Sequence, residues 1–131
     1  RPAKEGQGSI LLVEDQEELR NTLMLALTRA GYKMTCAVNG ADALRIWEKL
    51  CTTERFDLVI TDVVMPVMGG RELVEQLQQR RPDLKVLYIS GYHADLVLHH
   101  GVMQSEVHLL QKPFSMQQLL ATVESILGRQ G

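Results

Sequence analysis

The sequence predicts an α/β fold in which a parallel sheet is covered by helices on both faces. Five short, mostly apolar runs of strand length alternate along the chain with five segments of helical periodicity. The central run, residues 57–61, has the length and composition of a strand that is buried on both faces. Alternation of this kind is typical of strand–helix–strand units, which build parallel sheets.

The predicted strands are bounded by abrupt changes in composition. The first ends at the acidic residues Glu14 and Asp15, the third ends before Asp62, and Gly91 breaks the fourth. The second run is less apolar than the others, so we expect it nearer an edge of the sheet. Strands are predicted at 9–13, 32–38, 57–61, 85–90 and 106–110.

The predicted helices carry apolar residues at intervals of three and four. Gly31 ends the first helix, residues 39–40 turn the chain into the second, and Pro82 ends the third. Ser115 and Gln118 form a capping-box pattern at the start of the last helix. Helices are predicted at 16–30, 41–50, 70–81, 94–103 and from 115 onward, the fourth being the weakest.

Composition and charge exclude several classes of function. The 131 residues are 45% hydrophobic and 23% charged, which is ordinary for one globular domain. A formal net charge of −2 gives no reason to expect nucleic-acid or membrane binding by this domain. No apolar run approaches the ~20 residues of a membrane-spanning helix. Cys36 and Cys51 lack metal-ligand spacing, so we expect reduced packing residues of a cytoplasmic protein.

One domain is predicted at residues 9–128, between a polar, glycine-containing leader at 1–8 and a short tail at 129–131. The sequence begins with Arg1 rather than Met, so we expect it to be a piece of a longer protein.

Polar side chains suited to chemistry stand at four of the five predicted strand ends. Glu14 and Asp15 follow the first strand, Asp62 the third, Ser90 ends the fourth and Lys112 follows the fifth. The carboxyl ends of parallel strands meet at one edge of the sheet, where ligands of open α/β folds collect. We therefore expect three acids, a hydroxyl and an ammonium in one site.

Three neighbouring carboxylates repel one another, by about 1 kcal/mol per pair in water and by several times more near a protein surface. A bound cation relieves this repulsion, and oxygen-only ligands suit Mg²⁺. No His or Cys stands at these strand ends, which disfavours zinc. A carboxylate beside Mg²⁺ and an ammonium is placed to attack a phosphoryl group and form an aspartyl phosphate.

Each of these residues also has an ordinary structural interpretation. Asp15 with Glu18 fits the start of a helix, and Asp62 fits a turn. Lys112 before a proline is commonly a solvated loop residue, and Ser90 before a glycine a simple turn. Four such coincidences at four strand ends are improbable, so the joint pattern favours a functional site.

Together these motifs resemble a receiver domain of two-component signalling. The resemblance covers residues 9–128 and implies a flavodoxin-like sheet with strand order 2-1-3-4-5. The motifs that carry it are Glu14-Asp15, Asp62-Val63-Val64-Met65-Pro66, Ser90-Gly91 and Lys112-Pro113-Phe114.

The resemblance implies a role for each site residue. Asp62 would be the phosphoacceptor, supplied by a phosphohistidine on a sensor histidine kinase or a histidine phosphotransfer protein. Mg²⁺ would be held by Asp62 and Asp15, by Glu14 through water and by the backbone carbonyl of Val64.

Lys112 would pair with the phosphoryl group, and Ser90 would be the switch hydroxyl. A domain of this kind catalyses its own phosphorylation and dephosphorylation and is not a metabolic enzyme.

Two positions depart from the family pattern. Receivers commonly carry Tyr or Phe three residues before the lysine, where this chain has Leu109, so the aromatic readout is absent. Val64 stands where a polar side chain often aids hydrolysis, so we expect partners to set the lifetime of the phosphorylated state.

Three other functions fit the sequence less well. A Mg²⁺-dependent small-molecule phosphohydrolase or phosphotransferase of the haloacid-dehalogenase type needs an Asp-x-Asp pair, where this chain has Glu14-Asp15-Gln16. A nucleotide-binding protein is disfavoured because the chain has no G-x-x-x-x-G-K-[ST] loop. An unphosphorylated, receiver-like binding domain is a third alternative, and the complete set of polar groups argues against it.

The stretches 88–92 and 110–114 are similar to receivers at the carboxyl end of hybrid sensor kinases. We expect that context, with a cytoplasmic domain whose parent kinase could be membrane-anchored. Output would pass through the surface built from the fourth helix, fifth strand and fifth helix, which could also support a weak dimer.

Overall fold

The computed structural model describes residues 8–50, 55–63, 68–91 and 107–127. Five parallel strands form one sheet in the order β2-β1-β3-β4-β5. The predicted fold class and strand order are therefore confirmed, and β2 lies at an edge as expected. The strands are β1 Ser9–Val13, β2 Lys33–Ala37, β3 Leu58–Asp62, β4 Lys85–Ser90 and β5 Val107–Gln111.

Four helices flank the sheet within the described residues: α1 Glu17–Arg29, α2 Gly40–Leu50, α3 Gly70–Arg80 and the C-terminal helix Met116–Leu127. The weak helix predicted at 94–103 lies outside the described residues. The predicted capping box is confirmed, because the Gln118 amide donates to Ser115 Oγ at 3.0 Å and the Ser115 amide donates to Gln118 Oε1 at 2.8 Å. None of the helices described is long and apolar enough to cross a membrane.

The central strand β3 divides the core into two layers. All five of its residues are buried, and successive side chains point to opposite faces of the sheet. Val59 packs into the layer beneath α2 and α3, whereas Leu58 and Ile60 pack into the layer beneath α1 and the C-terminal helix. This two-sided burial fixes β3 at the centre of the sheet, so its last residue, Asp62, projects from the middle of the carboxyl edge.

Two local features complete the frame. Gly31, in the turn between α1 and β2, has a φ of 102°, a left-handed conformation that residues with a Cβ adopt only under strain. Cys36 on the edge strand is exposed, so its prediction as a packing residue is wrong.

Candidate functional site

Three carboxylates converge at the carboxyl edge of the sheet. β1 lies beside β3, with Val13 in register with Thr61, so the residues that follow β1 meet the end of β3. Oxygen atoms of Glu14, Asp15 and Asp62 all lie within 4.8 Å of one another. The structure thus brings together the three acids that the sequence placed at one site.

The two acids after β1 lie in different environments. Asp15 is exposed, whereas Glu14 has no solvent-accessible surface. Glu14 Oε2 accepts a hydrogen bond from the Gln16 amide at 3.1 Å, but its buried Oε1 has no partner among the described residues. Burial raises the pKa of Glu14 to about 7, the Gln16 amide opposes this rise, and the charge of Asp62 adds to it.

The ammonium of Lys112 contacts the acidic cluster. Its Nζ donates to Asp62 Oδ2 at 3.0 Å, and both side chains are largely buried. Lys112 follows β5, two strands away from β3, and its long side chain spans β4 to reach the aspartate. Opposite charges held this close in a half-buried site interact more strongly than exposed surface pairs do.

The remaining predicted site residues are only partly covered by the structure. Ser90 is the last residue of β4, and its backbone is in register with Gln111 of β5. Asp62 is in register with Ile89, so Ser90 lies one residue further along its strand. Val64 lies outside the described residues. The roles of Ser90 and Val64 therefore stay predictions.

The structure does not support the helix-capping interpretation of Asp15. Gln16 is the N-cap residue of α1 and makes no side-chain capping hydrogen bond. The backbone of this turn is held instead by Arg20, whose guanidinium donates to the Glu14 carbonyl at 2.9 Å. The exposed Asp15 carboxylate is thus directed to the cluster without serving as a cap.

Comparison with known proteins identifies the family. A family model for the response regulator receiver domain matches residues 10–124. The chain belongs to this receiver family. Receiver domains act in two-component signalling, where they interact with histidine kinases or phosphotransfer proteins, and the predicted receiver function is confirmed at this level.

The receiver is similar to proteins of two different architectures. It is 38% identical over 125 residues to the sensor kinase CckA of Brucella abortus (strain 2308), covering 95% of this chain and 13% of that protein. It is 38% identical over 118 residues to the response regulator receiver protein CpdR of the same strain, covering 90% of this chain and 95% of that protein.

A solved structure shows the same fold. The response regulator protein TrrA from Thermotoga maritima, in complex with Mg²⁺–BeF, matches the receiver with a TM-score of 0.75 at 27% identity. The match covers 92% of this chain and 100% of that chain.

The acidic cluster of this receiver fits a divalent cation. Its three donors are carboxylate oxygens, the ligands that hard cations such as Mg²⁺ prefer. The buried Glu14 Oε1, which lacks a hydrogen-bond partner among the described residues, is an atom that a cation would satisfy. The cluster is therefore compatible with a Mg²⁺ site.

Sequence reasoning missed the packing role of Gly70. A Cβ on Gly70 would lie 2.2 Å from the carbonyl oxygen of Asp62, and the Gly70 amide donates to the Val63 carbonyl at 2.9 Å. α3 therefore begins directly against the backbone of Asp62, at a distance that only glycine permits. The Gly69-Gly70 pair in the sequence indicated a turn, but not this contact.

Proposed function

We propose that this receiver accepts a phosphoryl group on Asp62 from a phosphohistidine, with Mg²⁺ bound at the acidic cluster. The observation that carries the proposal is the position of Asp62 between two further carboxylates and the Lys112 ammonium, 3.0 Å from its Oδ2. Neither Glu14 nor Asp15 shares this combination, because Glu14 is fully buried and Asp15 is exposed without a lysine contact among the described residues.

Asp62 acts as the nucleophile. A carboxylate oxygen of Asp62 forms a bond to phosphorus as the bond from phosphorus to the imidazole nitrogen breaks, and the electron pair of that bond stays on the imidazole. Lys112 leaves its contact with Asp62 Oδ2 to donate to an oxygen of the transferred group. This exchange keeps a positive charge beside the site where negative charge accumulates.

Glu14 and Asp15 would hold Mg²⁺ together with Asp62, and the Val64 carbonyl would add a ligand, as the family pattern implies. Bound Mg²⁺ would neutralise charge on the phosphoryl oxygens. Glu14 would have to be ionised to hold the cation, so binding would displace the proton that its raised pKa favours near neutral pH.

Phosphorylation adds a charge of roughly −1.5 to −2 at the sheet edge, which biases a switch between two states. Ser90 at the end of β4 would donate to the phosphoryl group and move toward it. Leu109 is partly buried in the layer beneath α2 and α3 and is in register with Tyr88, so output from this surface proceeds without the usual aromatic side chain.

We place the domain at residues 9–128 and assign it to a cytoplasmic portion of a hybrid sensor kinase. Its similarity to the sensor kinase CckA supports this context. Its partners would be a sensor histidine kinase or a histidine phosphotransfer protein, and the surface around β5 would support a weak dimer. The domain itself would bind neither nucleic acid nor membrane.

The decisive experiment measures intact mass after incubation with Mg²⁺ and acetyl phosphate. We expect an adduct with the mass of one phosphoryl group that requires Mg²⁺, is lost in Asp62→Asn and persists in Asp57→Asn. A phosphorylated histidine kinase serves as the second donor. If neither donor labels the folded wild type, the proposal is rejected and the unphosphorylated binding domain is favoured.

A further inference from the structure

None of the predicted site residues follows β2, yet the turn after this strand contacts both sides of the candidate site. Residues 37–42, which we call the β2–α2 turn, hydrogen-bond to the residue that follows β1 and to the segment that follows β3. We infer that this turn positions the acidic cluster, with Gly40 as the main positioning residue. The inference rests on the proposed Mg²⁺ site.

The first contact holds the backbone of Glu14. The Glu14 amide donates to the Ala37 carbonyl at 3.0 Å, continuing the pairing of β1 with β2 by one residue. Ala37 is itself buried at the end of β2. The buried acid of the cluster therefore takes its backbone position from the turn.

The second contact holds the segment that follows Asp62. The Gly40 amide donates to the Met68 carbonyl at 3.1 Å. A Cβ on Gly40 would lie 2.6 Å from that same carbonyl oxygen and 2.8 Å from the Cβ of Met68. Such distances are well below ordinary contact, so any side chain at position 40 must displace Met68 or α2.

Met68 lies two residues before Gly70, which contacts the backbone of Asp62. It is followed by Gly69 and then by Gly70, whose backbone packs against the Asp62 carbonyl and whose amide donates to the Val63 carbonyl at 2.9 Å. A displacement at Met68 is therefore passed through two residues to the backbone of Asp62. The shortest approach at each of the two glycines, Gly40 and Gly70, is to a backbone carbonyl oxygen, so a change of side-chain rotamer alone cannot relieve it.

The turn itself is stiff. Asn39 Oδ1 accepts from the Asp42 amide at 2.8 Å, and Asp42 Oδ2 accepts from the Val38 amide at 3.0 Å. These two bonds cap α2 and close the turn from both sides. A capped, rigid turn can fix the distance between Glu14 and Asp62, which a cation that bridges them requires.

The test compares Gly40→Ala with Gly31→Ala in the 131-residue chain, using Mg²⁺ alone as the probe. Both substitutions are expected to lower Tm, because Gly31 adopts a φ of 102° and Gly40 has no space for a Cβ. We expect Gly40→Ala to raise the Kd for Mg²⁺, measured by calorimetry at pH 8, by about tenfold or more, as lost outer-shell support does at metal sites. Gly31→Ala should leave the Kd unchanged.

A wild-type Kd in Gly40→Ala, or an equal rise in both variants, would overturn the inference. If Gly40→Ala does not fold, Asn39→Ala and Asn39→Ser take its place. Loss of the cap should raise the Kd, and Ser, which also caps helices well, should restore it. A Kd that is the same in Asn39→Ala as in the wild type would again overturn the inference.

The outcomes separate this inference from the proposed function. A wild type that binds Mg²⁺ but accepts no phosphoryl group rejects the proposed function and leaves the positioning role standing. A wild type that is phosphorylated, with an unaltered Kd in Gly40→Ala, rejects the positioning role alone. A wild type without affinity for Mg²⁺ rejects both.

Discussion

Two aspartates bound the central strand, and they lie in opposite environments. Asp57 precedes β3 and forms a reciprocal pair with Ser9, since its Oδ2 accepts from the Ser9 amide at 2.8 Å and its own amide donates to the Ser9 carbonyl at 2.7 Å. Asp62 ends β3 among two further carboxylates and the Lys112 ammonium. The carboxylate of Asp57 is hydrogen-bonded to a backbone amide, whereas that of Asp62 lies beside two carboxylates and an ammonium.

The surroundings of the two aspartates differ in the same way. Beside Asp57, the rings of Trp47 and Phe56 lie 5.6 Å apart, and the Arg81 guanidinium lies 5.8 Å from the Trp47 ring centroid. Arg81 also donates to the Phe56 carbonyl. We call Trp47, Phe56 and Arg81 the amino-end cluster. One end of the strand is therefore closed by packing, and the other gathers three carboxylates and the Lys112 ammonium.

Residues at the amino end of β3 therefore contribute mainly to stability, and residues at its carboxyl end contribute mainly to chemistry. Substitutions at the amino end should change the free energy of unfolding and leave the reaction intact. Substitutions at the carboxyl end should change the reaction more than they change stability.

The largest effect is expected from Lys112. Lys112→Met removes the ammonium that contacts Asp62 Oδ2, so the rate of phosphorylation by acetyl phosphate should fall by about a hundredfold, as for loss of one donor to a developing anion. Lys85→Met, at the exposed start of β4, is the matched control and should keep the wild-type rate. Equal rates in the two variants would contradict the claim that the carboxyl end of β3 determines the reaction.

Glu14 should give the next largest effect, which is a dependence of the free energy of unfolding on pH. Its folded pKa of about 7 exceeds the ordinary value of 4.5, so the folded state binds the proton more tightly than the unfolded state. The stability contributed by this proton is fully present below pH 4.5 and is lost as pH rises through about 7. In EDTA, the free energy of unfolding should therefore decline over this interval.

Denaturant titrations at a series of pH values test this expectation. Glu14→Gln should flatten the decline, because the amide does not titrate, and should raise the Kd for Mg²⁺ by about tenfold or more. Asp57→Asn should leave the decline intact. A decline that persists in Glu14→Gln would assign the pH dependence to another group.

Asp57 tests the amino end directly. Asp57→Ala leaves the Ser9 amide without its side-chain acceptor, and the free energy of unfolding should fall by about 1–2 kcal/mol. Urea denaturation measures this loss. The Kd for Mg²⁺ should equal that of the wild type, and a weakened Kd would show that the two ends are coupled.

Arg81 should give the smallest effect. Arg81→Met keeps an apolar stem over Trp47 but loses the hydrogen bond to the Phe56 carbonyl, at a cost of about 1 kcal/mol. Trp47 fluorescence should change in the folded state, because the guanidinium no longer lies over its ring. Arg29→Met, on the exposed end of α1, controls for the loss of one positive charge.

The sequence predicted the architecture because the signals for it are local. Apolar runs, Gly31, Pro82 and the Ser115 cap each act within a few residues, and their order along the chain was sufficient for the fold class. Several boundaries differ by one residue, among them that of β3, predicted at 57–61 and found at Leu58–Asp62, and that of β5, predicted at 106–110 and found at Val107–Gln111. The strand includes its terminal aspartate because that residue pairs with Ile89 of β4.

The electrostatic character of the site could not be predicted in the same way. Glu14 and Asp15 are equivalent in the sequence, and only the packing of β1 between its neighbours buries one and exposes the other. The contact of Gly40 with Met68 joins residues far apart in the chain, so no local pattern indicated it. Side-chain type was readable from the sequence, but the distances between backbone segments were not.

The division of the core into two layers by β3 affects which substitutions the protein can tolerate. Side chains of one layer meet those of the other only across the backbone of the sheet, so a substitution in one layer has few neighbours to correct in the other. The outward surfaces of the helices can then change without moving the carboxyl edge, so one reactive edge is compatible with many different outer surfaces.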